Sequence, residues 1–501
     1  MPRFLLFSAL ALALAGCGGG ATQTAPTLRT DADGDLRYGQ LRFKPCSLGD
    51  EGMVAIEAQC ATLQAPENHD APKGRTIDLA VALIPAKNAT QPDPVVILAG
   101  GPGQAILDAY PGLHGALEDV RRSRNILLMD ARGTGGSHLL QCDELSAMAD
   151  GGTTAPELEQ LRDWATRCRD RLAKTSDLRY YTTTDHVRDL DLLRRSAGVE
   201  QLNLVGISYG TRVAQQFAAR YPAHTRTVTL DSIAPNTLVL GQEHARNLDA
   251  ALKQQFARCA AEPACKRNIG DPAAMLATVR ATLQAGGIAP VRYRDPTSGE
   301  WREEAPTFAH LGALLRFYAY RPESASMLPL VLHDASKGRY ETLLSQARSL
   351  SGDLGDSMAL GMHLSVSCTE DPEIRVDPAD KDTILGTSMA EFLQAQCAAW
   401  PKGTRPADFR KPLSGNLPVL AISGEFDPVT PSRYGDEVVK TLPNGRHLVL
   451  PGQGHSVLTT GCMPKLFAQF VEKADAKALD AGCLKRLKAS PPFAGYYGWE
   501  P

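Results

Sequence analysis

A chain of 501 residues has room for one large domain with an insertion, or for two domains. Its 43% hydrophobic and 22% charged content is ordinary for a folded globular protein. The formal net charge of −3 gives no electrostatic footprint for nucleic acid, so no nucleic-acid partner is expected.

The first element is an export signal. Arg3 supplies a positive start, and Phe4 to Ala15 is an apolar run of about a dozen residues, short of the roughly 20 that span a bilayer. It closes on Leu14-Ala15-Gly16-Cys17, which resembles the lipobox of bacterial lipoproteins, where cleavage precedes an acylated cysteine. The resemblance implies a signal peptide over 1–16, lipidation at Cys17 and attachment to a membrane, with the outer membrane favoured because Gly18 is not the aspartate of inner-membrane retention. Residues 17–40 are rich in Gly, Thr, Ala and Asp and read as a flexible tether.

Short apolar runs follow. Ile77 to Ile84 alternates in part, as a half-exposed strand does; Val95 to Leu98, Ile126 to Met129 and Leu202 to Val205 are continuous runs ending at glycine or aspartate. Val228 to Leu230, Val419 to Ile422 and His447 to Leu450 extend the series, and helical periods lie between several of them, notably Asp185 to Ala197 and Thr211 to Arg220. This alternation predicts a doubly wound, mostly parallel α/β sheet. From about 235 to 400 the pattern becomes helical, with periods at His244 to Ala261, Ala309 to Tyr320 and Met327 to Lys337 and no comparable strand run. A mostly helical lid over the carboxyl edge of the sheet is expected there.

Eleven cysteines less Cys17 leave ten, in close sequence pairs: Cys46/Cys60, Cys142/Cys168, Cys259/Cys265, Cys368/Cys397 and Cys462/Cys483. No C-x-x-C or His/Cys cluster has ligand spacing, so disulfides in an oxidising compartment are expected rather than metal. Neighbour pairing is the simplest connectivity, though not the only one.

The chemistry concentrates in loops after strands. Gly206-Ile207-Ser208-Tyr209-Gly210 sits between a strand run and a helix, the setting of a nucleophile elbow. A serine nucleophile needs a base and an orienting acid, which follow in the order acid then histidine. Asp427, in Gly424-Glu425-Phe426-Asp427-Pro428, and His455, after the run ending at Leu450, occupy such positions; Glu425 competes for the acid role. Tyr209 offers one backbone N–H to an oxyanion, and Gly101, in Ala99-Gly100-Gly101-Pro102-Gly103-Gln104, offers the second. Asp130 to Ser137 is a second glycine-rich turn, read as structural, with Arg132 tying loops together.

Jointly, Gly100-Gly101-Pro102-Gly103, Asp130-x-Arg132-Gly133-Thr134-Gly135, Gly206-x-Ser208-x-Gly210, Gly424-Glu425-x-Asp427-x-Val429-Thr430-Pro431 and Gly454-His455 resemble the proline iminopeptidase and tripeptidyl aminopeptidase family, over roughly 75 to 470. Ala99 and Ala131 depart from that family's usual histidine and glutamine. The resemblance implies an α/β-hydrolase that needs no cofactor or metal, with core segments 41–234 and 401–501, a helical cap over 235–400, and a serine aminopeptidase activity on peptide substrates. It also settles the preference for Asp427 over Glu425. A cleaved free N-terminus needs an acid partner for its ammonium, and Cys368-Thr369-Glu370-Asp371 resembles the family's acidic stretch, with Glu370 first and Asp371 in reserve. Two other readings stay open: an esterase or amidase with the same machinery, and a non-catalytic peptide-binding surface lipoprotein.

Overall fold

A computed structural model describes residues 28–49, 54–142, 157–356 and 358–500. Cys17 and the expected signal segment lie outside the described residues. Eleven strands form one sheet: β1 (Arg29–Thr30), β2 (Leu36–Tyr38), β3 (Leu41–Leu48), β4 (Ile56–Pro66), β5 (Thr76–Ile84), β6 (Val95–Leu98), β7 (Ile126–Met129), β8 (Leu202–Ile207), β9 (Thr225–Asp231), and, after a long insertion holding β10 (Val291–Arg294) and β11 (Trp301–Glu304), β12 (Val419–Gly424) and β13 (Gly445–Leu450). Their spatial order is β1-β2-β3-β4-β5-β7-β6-β8-β9-β12-β13. The first five strands and the β5–β7 pair are antiparallel, and from β7 onward every neighbour is parallel.

The continuous apolar runs are the central strands, and their residues are buried because helices cover both faces of the sheet. One face packs against the helices Thr183–Ala197 and Tyr209–Arg220, the other against Met463–Lys473, giving two separate hydrophobic clusters. Thr183–Ala197 starts where it does because Thr182 and Asp185 cap each other reciprocally, and it stops at Gly198, which takes φ 70°. Chain order reverses at β6, which lies between β7 and β8. The crevice beyond the carboxyl ends of β6 and β8 is therefore the switch point at which such sheets bind ligands.

The insertion has a core of its own. His244–Ala261 buries Ala245, Leu248, Leu252, Phe256 and Cys259, a spacing of three or four that forms one helical stripe. Leu248, Leu252 and Phe256 pack with Leu311, Leu315, Leu328 and Leu332 from the helices Phe308–Tyr318 and Leu328–Ser336.

Three expectations need correction. The tether ends earlier than residue 40, because β1 and β2 already belong to the sheet; their few residues pair too briefly to show an apolar period. The insertion is not strand-free, since β10 and β11 form an antiparallel hairpin whose charged sequences, Val-Arg-Tyr-Arg and Trp-Arg-Glu-Glu, hide the alternation. The helix Leu360–Glu370 falls within the expected cap, yet Met362, Leu364, Val366 and Cys368 pack into the core cluster rather than the cap cluster.

Disulfides join Cys46–Cys60, Cys142–Cys168, Cys259–Cys265, Cys368–Cys397 and Cys462–Cys483. Among the described residues, no helix is long and apolar enough to cross a membrane.

Candidate active site

Ser208 stands between β8 and the helix Tyr209–Arg220 with φ 55° and ψ −122°, a conformation that non-glycine residues rarely adopt and that lifts the side chain off the backbone path. The turn closes only because its neighbours lack side chains. A Cβ on Gly210 would strike the carbonyl oxygens of Leu98 and Ala99, and one on Gly206 would strike the backbone of Gly210. The amide of Ser208 donates to the Asp231 carbonyl at 2.8 Å, fastening the elbow to the end of β9.

His455 lies in the loop after β13, and its Nδ1 meets Asp427 Oδ1 at 3.0 Å and Oδ2 at 2.8 Å. Asp427 is fixed from behind by the amides of Val429 (2.9 Å) and Thr430 (2.8 Å) and by the Thr430 hydroxyl (2.9 Å). Burial opposes the charge on this carboxyl, but the imidazole beside it and these donors hold its pKa below the usual carboxylate value. Burial likewise works against a charged His455, and the Asp427 charge and hydrogen bond outweigh it, so the imidazole pKa is raised. With Nδ1 committed to Asp427, Nε2 is left as the proton acceptor. The hydrogen bonds of the His455 ring go to Asp427 and Thr430 and not to Ser208 Oγ; such a serine–histidine contact often tightens only in the reacting complex.

Glu425 is not the acid: its Oε2 accepts from the amide of Gly452 at 2.7 Å, in the loop leading to His455. A further acid, Asp231, is fully buried at the end of β9 and accepts from the amides of Val457 and Leu458. Burial pushes its pKa up to about 6 despite those donors. It shapes the histidine loop, and its charge adds to the raised pKa of His455 after the effect of Asp427. The loop is also held from the cap, since the His455 amide donates to the Tyr320 carbonyl at 2.7 Å and the two rings meet edge-on at 5.2 Å.

Gly101, Ser208 and Tyr209 line one cavity of about 620 Å³ between the core and the cap. Gly101 takes φ +106°, which only glycine holds without strain. Its loop is braced by the Ala359 amide, which donates to Gly103 O at 2.9 Å, and by the His363 ring, which bonds the Pro102 backbone. The cavity wall is largely apolar, with Trp164, Leu240, Leu364, Ile374, Phe392 and Leu393. Its polar wall includes Glu243, His244, Asn247, Arg316 and His363.

The acidic pair expected to hold a substrate amine is elsewhere. Glu370 is 1% exposed and absent from the cavity wall; its oxygens accept from the Thr183 amide at 2.6 Å and the Thr183 hydroxyl at 2.8 Å. Thr183 in turn accepts from the Tyr209 hydroxyl at 2.6 Å, so the carboxyl lies under the elbow as part of its support. Asp371 is spent on Arg212 (3.0 Å), Arg410 (2.7 Å) and the Leu240 amide (3.1 Å). The family-like acidic stretch misled because a helix terminus buried in the core and one facing the pocket carry the same letters. The carboxylate that does reach the cavity is Glu243, which opens the first cap helix and had no motif to mark it. Arg132, by contrast, ties loops together as expected, binding Asp189 and the carbonyls of Glu67 and Tyr180.

Among the described residues, no group of three or more His, Cys, Asp or Glu side chains is arranged to hold a metal ion. The chemistry available is nucleophilic: an elbow serine, a histidine made basic by a buried aspartate, and two backbone amides near the serine.

Comparison with known proteins gives the family. Residues 93–461 match the family model described as the alpha/beta hydrolase fold. The serine protease Hip1 of Mycobacterium tuberculosis is 24% identical, the match covering 91% of each chain. The tripeptidyl aminopeptidase of Streptomyces lividans is 26% identical over 35% of each chain. Among solved structures, the proline iminopeptidase of Mycobacterium smegmatis matches with a TM-score of 0.41 and 18% identity, over 83% of this chain and 100% of that one.

Proposed function

The chain belongs to the α/β-hydrolase fold family, and from that premise we propose that it is a serine peptidase releasing residues or short peptides from free N-termini. The observation that carries the reading is the buried Asp427–His455 pair, set in loops beside the strained Ser208 elbow at the mouth of a capped cavity. Ser208 attacks the scissile carbonyl while His455 takes its proton, and Asp427 fixes the tautomer and stabilises the imidazolium. The Gly101 and Tyr209 amides receive the oxyanion, and water then releases the acyl group. His455 also returns its proton to the departing amine.

Peptide substrates are supported by the protease and aminopeptidase names of the relatives. The amine anchor in this reading is Glu243 rather than Glu370. Its Oε2 is held by Arg433 at 2.6 Å and the Tyr434 hydroxyl at 2.7 Å, and Oε1 is the oxygen that takes the amine in this reading. Arg433 keeps it ionised: burial is offset by the Tyr434 and Arg433 bonds, and the carboxyl pKa is lowered.

The test is turnover of matched free and N-acetylated chromogenic peptides beside simple esters. Free peptides are expected to exceed acetylated ones by about 10- to 100-fold, and Glu243→Gln should erase most of that preference, since a hydrogen bond to a charged group carries roughly 1.5–3 kcal/mol. Equal rates on free and acetylated peptides would replace this reading with an esterase or amidase. Turnover of none of them would leave a peptide-binding protein without catalysis.

We also propose export and lipid anchoring at Cys17, supported by the short apolar signal and by the disulfides, which persist in oxidising compartments. Mass spectrometry of the mature N-terminal peptide should find acylated Cys17; an unmodified start beyond Cys17 would end the proposal.

A further inference from the structure

Among the described residues, the cavity wall carries two formally charged side chains, Glu243 and Arg316. They are not equivalent. Glu243 has a partner at ion-pair distance in Arg433. Arg316, from the cap helix Phe308–Tyr318, has no carboxylate within ion-pair distance among the described residues. Its guanidinium carbon lies 5.1 Å from the centre of the Phe317 ring, and it hydrogen-bonds the Tyr320 side chain.

The two cavity histidines cannot share this charge. Burial depresses the pKa of His244 to about 3 and also lowers that of His363, and the nearby Arg316 adds to both effects. Both rings are therefore neutral near pH 7, and Arg316 is the cation of this wall. A guanidinium presents five N–H donors in a planar fork that matches a carboxylate through two parallel bonds. Its weak hydration makes it the basic side chain that most readily gives up water for such a partner. Half-buried on a largely apolar wall, it has donors left over and a roomy cavity in front of them.

We propose that Arg316 is a specificity-determining residue that docks a carboxylate of the substrate. Its position fixes which part of the substrate is read. Tyr320, which it bonds, touches the His455 ring edge-on and holds the His455 amide. The docked group thus lies one side-chain layer from the catalytic base, within a residue or two of the scissile bond at roughly 3.3–3.6 Å per extended residue. Two sources supply that chemistry: the free C-terminus of a short peptide, or an aspartate or glutamate side chain. With Glu243 taking the amine, a short peptide would be held by charge at both ends. The inference rests on the peptidase reading for the reaction performed, but not for binding.

Binding and turnover separate the two. In full-length protein carrying Ser208→Ala, calorimetry compares Ala-Ala-Ala with its C-terminal amide, and Ala-Glu-Ala amide with Ala-Gln-Ala amide. The carboxylate member of at least one pair should bind about 10- to 100-fold more tightly, the range of a charge-assisted hydrogen bond. Which pair responds identifies the source. Adding Arg316→Gln should bring that ratio towards one, while Arg316→Lys, which keeps the charge but loses the fork, should retain part of it. Ratios near one with Arg316 present, or a preference that survives Arg316→Gln, would overturn the proposal. If the preference holds but the enzyme with Ser208 intact cleaves none of these peptides, the carboxylate site stands and the peptidase reading falls.

Discussion

The core and the cap of this protein are built to different specifications. In the core, nearly every functional group is over-determined: Ser208 is pinned by two glycines it cannot do without, Asp427 by three donors, and the histidine loop by Asp231. In the cap, Glu243 and Arg316 sit on helices with their own hydrophobic cluster, and each has few side-chain partners: Arg433 and Tyr434 for Glu243, Phe317 and Tyr320 for Arg316. A site that must position reacting atoms within fractions of an ångström needs the first kind of support; a wall that chooses among substrates can be varied residue by residue on the second. Loss in the core should therefore be general, and loss in the cap should depend on the substrate.

The largest expected effect is in the core. Ser208→Ala and His455→Ala should each lower kcat by about 10⁴ or more on esters and peptides alike, because such groups act as a unit. Steady-state rates on one ester and one peptide check it; a loss confined to peptides would break the division between the two regions.

The pH profile sharpens it. His455 must be neutral to accept the serine proton, and Asp427 raises its pKa above the ordinary imidazole value of 6.5. Activity should thus fall with acid along a limb whose midpoint lies above 6.5, equally for every substrate. Asp427→Asn should cost about 10⁴-fold and move the limb to lower pH, since the raising charge is gone. An unmoved limb would assign it to another group.

Glu370 tests whether the elbow's support is structural. Burial raises its carboxyl pKa to about 7 from the ordinary value of 4.5, with Arg212 pulling the other way. The bound proton therefore stabilises the fold below about pH 4.5, and that contribution is lost as the pH rises through 7. Relative to Glu370→Gln, the parent should lose up to about 3 kcal/mol across that window, at 1.36 kcal/mol per pKa unit. Denaturant midpoints at pH 4.5 and 8 measure the gap. A constant gap would mean that Glu370 is ionised throughout.

The smallest effect belongs to the cap. Cys259 and Cys265 are 6 residues apart, so the closed loop is short. Replacing both with serine should cost about 2 kcal/mol in the chain-entropy picture and leave ester hydrolysis largely intact. Loss of ester turnover on that change would show that the cap cluster supports the core as well.

The same division explains what could be read in advance. β6, β7, β8 and β12 were legible because strands covered on both faces are almost wholly apolar, β9 and the edge strand β13 only through short runs at their carboxyl ends, and the loops of Ser208, Asp427 and His455 because a strained elbow and its proposed partners require fixed glycines and chain order. The antiparallel strands β1 to β4 left no such mark. β3, for instance, places Leu41, Phe43 and Leu48 inward around exposed Arg42 and Lys44, an alternation broken by Pro45 and Cys46. Glu243, Arg316 and Tyr320 were illegible for a different reason: only the fold of the insertion brings residues so far apart in the chain to one wall and one histidine. Glu370 was visible and misassigned, because sequence reports an acid's place in the chain and not which side of a helix it leaves from.

The tapering of the sheet at its N-terminal edge has a consequence for a protein whose proposed substrates are extended chains. From β4 outward the strands shorten from 11 residues to 8, 3 and 2. A long open edge is a template onto which a foreign peptide can zip its backbone. Here Arg29 and Thr30 offer room for little more than one or two rungs, with Arg37 paired opposite Arg29. Among the described residues, a peptide arriving at this edge finds almost no ladder to join, which disfavours its sequestration there.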